Sequence, residues 1–419
     1  MRALPWCMML LLVWTARLAR AENWPGWRGP RGDGTSAEKD PPRTWSPTEN
    51  VRWKVRLPGP GNSSPILWGN RVFLTQSLDS KGTERAVLCF NRADGKLVWQ
   101  KSISFKGEEP THSTNPYCSA SPVTDGERVI ASHGSAGVVC YDFQGTRLWH
   151  RDLGRFVHIW GTAASPVLHG DLVLLNCGPG ERTFLLALDK KTGKDVWKVE
   201  ETGGKSGQKG ESEWLGSWST PRIITVQGQD QLIMTWPNTV KAYDPKTGQV
   251  IWTCDGLTRL VYTSPLAMPE IVVAMSGYGG SALAVKTGGK SDVTRTHRLW
   301  HHTQQNPQRI GSGIIVGDYL YMINAAPGTV QCIELQTGKD RWDGRRLGTA
   351  FWGSLVLVDG KFYATDQQGD TYVFAAKPEF EQVSRNRLGE HTNASLAVSA
   401  GDIFIRTDSH LWCIGGAKK

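Results

Sequence analysis

An eleven-residue unit returns along the chain with a period of about 40 to 50 residues, and self-similarity at such a period narrows the possible folds more than any local pattern does. Ala187 to Trp197 reads A-L-D-K-K-T-G-K-D-V-W, and Ala242 to Trp252 reads A-Y-D-P-K-T-G-Q-V-I-W. Cys89 to Trp99 and Cys332 to Trp342 keep the spacing with cysteine for alanine. Cys140 to Trp149 is one residue shorter, and Ala284 to Trp300 carries an insertion in the turn. Each unit is an alternating strand, a tight glycine turn and a second strand that bears a tryptophan, which predicts a hairpin. Upstream lies another hairpin, opened by a small residue and proline at Ser64-Pro65, Ser121-Pro122, Ser165-Pro166, Thr220-Pro221 and Ser264-Pro265.

Two hairpins make a four-stranded sheet, and a series of such sheets around an axis is a β-propeller. The strand sets fall near 63–103, 119–153, 161–202, 216–256, 261–303, 309–347, 349–389 and 391–415. The last set lacks a fourth strand, and Asn50 to Leu57, N-V-R-W-K-V-R-L, supplies one with Trp53 in the tryptophan position. The expectation is an all-β, eight-bladed propeller of four-stranded antiparallel blades, closed by an N-terminal strand that removes the open edge. Trp53, Trp99, Trp149, Trp197, Trp252, Trp300 and Trp342 are expected to staple neighbouring blades, each burying roughly 150–250 Å². Blade seven has no such tryptophan, and Phe380 is expected to substitute in part.

The chain is expected to divide into a signal peptide at 1–21, an entry segment at 22–49, one propeller at 50–415 and a tail at 416–419. Arg2, the apolar run Leu4 to Trp14 and the small-residue pattern Ala19-Arg20-Ala21 read as a secretory signal. That run is shorter than the roughly 20 residues that span a bilayer. Cleavage near Ala21 would release a periplasmic or secreted monomer with no transmembrane segment. The formal charge of +9 is scattered rather than clustered, so nucleic acid is not an expected partner. The cysteines are irregularly spaced, unlike a disulfide framework. Cys89, Cys140, Cys332 and Cys413 stand where other repeats place alanine, so they act as small apolar residues.

The pattern A-x-D-x-x-T-G-x-x-x-W resembles the tryptophan-docking motif of the pyrroloquinoline-quinone-repeat (PQQ-like) propellers, and the resemblance covers nearly all of the mature chain. That family includes quinoprotein alcohol dehydrogenases, which bind the quinone and calcium, and non-enzymatic members such as the outer-membrane assembly factor BamB. The entry segment Trp24-Pro25-Gly26-Trp27-Arg28-Gly29-Pro30 is similar to that of bacterial exported propellers of this type. The enzymes' adjacent-cysteine disulfide is missing, and their long insertions are not evident. The resemblance therefore implies a non-enzymatic scaffold of the cell envelope that binds an envelope protein or a small polar or planar ligand, without a cofactor. The alternative it implies is a PQQ- and calcium-dependent quinoprotein oxidoreductase acting on alcohols or sugars. A carbohydrate-active propeller with paired carboxylates is a third reading, opposed by few Asp and Glu at the blade entrances.

Within each blade the innermost strand comes first, so the segments entering the blades should converge on the channel mouth. The long connections Phe105 to Cys118, Gly203 to Gly216 and Thr303 to Arg309 are where binding should concentrate. The entrances place His112, Asn115, His158, Trp160, Trp218, Tyr262, Arg309, Trp352, His391 and Asn393 around one expected funnel. No catalytic or metal-ligating residue is assigned. His301 and His302 are adjacent on a strand and face opposite sides, and Gly203 to Gly207 lacks the spacing of a phosphate loop.

Overall fold

The computed structural model describes residues 22–205, 214–303, 306–342 and 344–415. The expected signal peptide and tail lie outside them. Eight sheets radiate from a common axis, and seven of them lay down their blade strands from the axis outward in chain order. Blade 1 shows the plan: Ile66–Trp68, Arg71–Ser77, Glu84–Asn91 and Leu97–Ser104 pair consecutively and antiparallel. The middle two strands are buried along nearly their whole length, because a neighbouring blade covers each face. The outer strand is exposed except at Trp99 and Ile103, which are buried. Blade 8 is composite: Ala397–Ser399, Asp402–Arg406 and His410–Ile414 come from the C-terminus, and Val51–Arg56 completes it with Trp53 opposite Cys413. The ring is therefore closed by the N-terminal strand.

The repeated motif is a docking device between blades. The indole N–H of Trp53 donates to Arg92 O (2.8 Å), Trp99 to Phe143 O (3.0 Å), Trp149 to Lys190 O (3.0 Å), Trp197 to Pro245 O (3.0 Å) and Trp300 to Leu335 O (2.9 Å). The acceptor is always the fourth motif residue of the next blade, and Trp342 finds the equivalent carbonyl at Pro378. The motif glycine lies beneath the same indole. At Gly193 (φ +70°) a Cβ would stand 2.6 Å from Trp149, and at Gly248 (φ +75°) 2.8 Å from Trp197. Glycine is needed there twice, for the left-handed backbone and for the room.

Two junctions depart from this pattern. Trp252 packs between blades 4 and 5, but its N–H donates to Gln231 Oε1 of its own blade (3.0 Å). The insertion in blade 5 displaces the usual acceptor and forms Ser291–Asp292, which adds parallel to the outer edge of Val250–Asp255. At the blade 7 to 8 junction the expected substitute is the wrong residue. Phe380 packs on Trp342 (5.4 Å) and Phe374 (5.8 Å), on the side facing blade 6. The gap towards blade 8 is filled by Trp45, which stacks on Tyr363 (6.4 Å, 5° between planes) within the apolar cluster shared by blades 7, 8 and 1. The seven described cysteines are free and buried.

Candidate functional site

A belt of hydroxyls encircles the axis where the inner strands begin. The backbone N–H of Ser64 donates to Ser121 Oγ (2.8 Å), Ser121 to Ser165 (3.0 Å), Ser165 to Thr220 (3.0 Å) and Thr220 to Ser264 (2.8 Å). Ser264 then donates to Ser312 (3.1 Å), Ser312 to Ser354 (2.9 Å), Ser354 to Ser395 (2.9 Å), and Ser395 back to Ser64 Oγ (2.9 Å). One hydroxyl per blade thus closes a circuit that no single blade can form. The small-residue and proline signals mark its first members, while Ser312, Ser354 and Ser395 lack the proline.

Above this belt opens a cavity of about 420 Å³, within the range of small-molecule pockets. His112, Asn115, Trp160, Trp218, Tyr262, Trp352 and Asn393 line it, together with belt hydroxyls and Asn62, Thr114, Tyr278 and Gln308. Its floor includes Trp27 of the entry segment, which also lines a second cavity of about 400 Å³ behind it. Among the described residues no Asp, Glu, Lys or Arg lines it.

The entry segment reaches this place by pairing with the inner strands in turn. Trp24 exchanges backbone hydrogen bonds with Leu67, Thr124 donates to Pro25 O, and Leu357 donates to Gly34 O. Thr35–Ser36 then pairs parallel with Val356–Val358. The buried Arg28 guanidinium fastens the crossing, donating to Leu355 O (2.7 Å), Asp33 O (2.6 Å) and the carbonyls of Ser312 and Gly313. Burial lowers its pKa to about 10, so it keeps its charge at neutral pH. The channel is therefore blocked from one end, and the funnel is a cup.

The wall is braced from behind. Arg85 and Glu109 form a buried ion pair (2.6 Å), with the guanidinium sandwiched between Phe105 (4.9 Å) and Tyr117 (4.8 Å). Glu109 accepts from Ser135 N (3.2 Å) and Tyr117 donates to Glu109 O (2.8 Å), which ties down the loop that carries His112 and Asn115. Indole and phenol rings continue the wall from Asn115: Trp160 and Trp218 lie 5.9 Å apart at 56° and Trp218 and Tyr262 5.0 Å apart at 58°, with Trp214 packed on Trp160 (5.0 Å, 81°). Trp218 is fixed by its N–H to Gly161 O (2.8 Å). Burial raises the pKa of Tyr262, which stays a neutral phenol.

Three of the expected funnel residues do not line it. His158 is buried behind the wall, edge-on to Trp218 (4.9 Å). Arg309 is buried between blades with Nη2 3.5 Å from Gln331 Oε1. His391 is exposed on the rim beside Asp408 (2.9 Å). Sequence position located their segments at the mouth but not the direction of their side chains. Trp27 was missed because the entry segment belongs to no repeat. A buried Cys118 Sγ and His133 Nδ1 pair (3.5 Å) was also unread, but burial raises the thiol to about 12 and lowers the imidazole to about 3, so both are neutral and inert.

A calcium-bound quinone does not fit this lining. Pyrroloquinoline quinone is a planar tricarboxylate, and calcium takes oxygen ligands in which carboxylates predominate. The described residues of the cup offer no cation for the former and no carboxylate for the latter, and its ring pairs are tilted rather than parallel. Among the described residues no group of three or more His, Cys, Asp or Glu could hold a metal ion.

Comparison with known proteins places this geometry. A family model described as "Outer membrane protein assembly factor BamB", built on PQQ repeats, matches residues 80–199 and 181–418. The crystal structure of BamB from Moraxella catarrhalis superposes with a TM-score of 0.59 at 14% identity, covering 87% of this chain and 97% of that one. Quinohemoprotein alcohol dehydrogenase from Comamonas testosteroni gives 0.66 at 11% identity, covering 95% and 81%. Tetrathionate hydrolase of Acidithiobacillus ferrooxidans is 20% identical over 83% of this chain and 63% of its own length. The chain spans less than two thirds of the length of the curated relatives it matches.

Proposed function

The chain belongs to the PQQ-repeat propeller family that the BamB model describes, and on that premise we propose that it is an exported, non-catalytic binding propeller of the cell envelope whose cup receives a neutral polar ligand. In this reading residues 1–21 are a signal peptide removed near Ala21, and the mature protein is a monomer. The observation that carries it is the lining: aromatic faces, hydroxyls and amides around a blind cavity, with no Asp, Glu, Lys or Arg among the described residues. Such a surface offers shape, stacking and hydrogen bonds, but no carboxylate pair for acid and base work and no cation for an anionic cofactor. Enzymes and scaffolds share this fold, so the reading rests on the site and not on the fold.

A thermal-shift and absorbance titration of the mature protein tests it. Pyrroloquinoline quinone with calcium is expected to leave the melting curve unchanged and to support no dye reduction with alcohols or sugars. Saturable stabilisation with a bound-quinone spectrum and alcohol-dependent dye reduction would overturn the reading in favour of an oxidoreductase.

A further inference from the structure

Building on that reading, we infer that the ligand of the cup is a neutral saccharide, held at the blind end against Trp27. Three features of the cup single out this class among neutral molecules. The first is the orientation of the rings. Trp160, Trp218 and Tyr262 meet at 56°, 58° and, for Trp160 with Tyr262, 84°. A flat aromatic ligand wants parallel faces, whereas a puckered ring presents apolar C–H faces in several directions and meets tilted indoles on more than one side.

The second feature is the chemistry between the rings. Each belt hydroxyl already accepts a backbone N–H from the preceding blade, so its own O–H is what it has to give. Around them, Asn62 and Asn115 use their amide nitrogens on Thr114 O (2.9 Å) and on the carbonyls of Trp160 and Thr162, which leaves Oδ1 of each as an acceptor. Donors and acceptors therefore interleave around the cavity. A sugar hydroxyl both donates and accepts, and a ring of such hydroxyls matches this surface. The third feature is neutrality: a free amino acid, nucleotide or acidic sugar would bring a charge into a lining whose described residues include no Asp, Glu, Lys or Arg, at a desolvation cost that a neutral saccharide avoids.

The floor makes the assignment specific to this chain. Trp27 comes from the entry segment, held by Arg28 beneath the ring, and lines the cup from outside the repeats. It is a ligand-contacting residue in this scheme, along with Trp160 and, at the rim, the largely exposed Tyr278.

The test uses the mature protein on an array of neutral oligosaccharides (malto-, cello-, galacto- and N-acetylglucosamine series), followed by titration of any bound sugar by tryptophan fluorescence. Saturable binding with quenching is expected, weakened about tenfold in Trp27→Ala. Tyr278→Ala, at a largely exposed side chain, is expected to weaken binding without moving the melting temperature, which keeps the test decisive if Trp27→Ala misfolds. Trp149→Ala, at a blade junction, should lower the melting temperature and leave affinity unchanged. No sugar binding, but binding of an uncharged blocked peptide that depends on Tyr278, overturns the saccharide and leaves the binding reading in place. Sugar binding unaffected by Trp27→Ala and Tyr278→Ala places the ligand elsewhere and overturns the inference. Binding of neither sugar nor peptide overturns both.

Discussion

Trp149 and Gly193 sit on different blades, yet neither identity makes sense without the other: the indole occupies the space that a Cβ at Gly193 would need. Such pairs are visible in a sequence because the motif repeats them. Single residues without a repeat are not. His133 is one: burial, with Arg85 adding a like charge, lowers its imidazole from 6.5 to about 3. Folded, it is neutral; unfolded, it takes a proton below about pH 6.5. The unfolded state therefore binds more protons across this window, and stability falls as pH drops from about 6.5 towards 3. His133→Gln should flatten part of that acid limb in urea titrations run between pH 7 and 4, relative to the wild type. An identical slope in both proteins would show that His133 is protonated in the fold. Trp45 and Trp27 escaped sequence reading for the same reason as His133. They lie in a stretch with no periodicity, and only the folded path of the chain gives them a neighbour.

Between blades, the joints are of two kinds. The outer joint is the tryptophan over the glycine turn, and its signature was legible to the extent that the blade count could be read from it. The inner joint is the hydroxyl belt. Its members were legible as strand openers, but the bond each makes was not, because donor and acceptor sit more than forty residues apart on different blades, as with Thr220 and Ser264. The belt makes a prediction for these joints. Ser264→Ala leaves the buried Thr220 N–H without its acceptor and should cost about 1–3 kcal/mol in chemical denaturation. Ser264→Thr restores the acceptor, as Thr220 does naturally for Ser165, and should be close to neutral. Equal losses in the two variants would assign the effect to packing. The departures at blades 5 and 7 also belong to this scale: an insertion takes away an acceptor, and a lost tryptophan is replaced from outside the repeat.

At the scale of the whole molecule, the N-terminal 36 described residues from Glu22 to Leu57 do three jobs: they floor the cup, fill the blade 7 to 8 junction with Trp45, and complete blade 8. Removing residues 22–57 leaves His410–Ile414 as an unpaired edge, which is a template for pairing with another chain. Size-exclusion chromatography with light scattering should find the shortened protein self-associated; a monomer with the wild-type melting temperature would mean that closure is dispensable. The eight-bladed count was readable from the sequence because the closing strand carries its own tryptophan, whereas the crossing beneath the ring was not, because its bonds are to backbone carbonyls that any sequence provides.

The composite blade also sets a clock. Val51–Arg56 leaves the ribosome long before its partner His410–Ile414, so it must wait, unpaired, while the seven intervening blades are made. Pairing across that separation carries the largest loop-closure cost of the described strand pairings. The circuit of hydroxyls closes only once blade 8 brings Ser395 to Ser64, so any partner that held the amino-terminal segment apart would decide when the ring is completed.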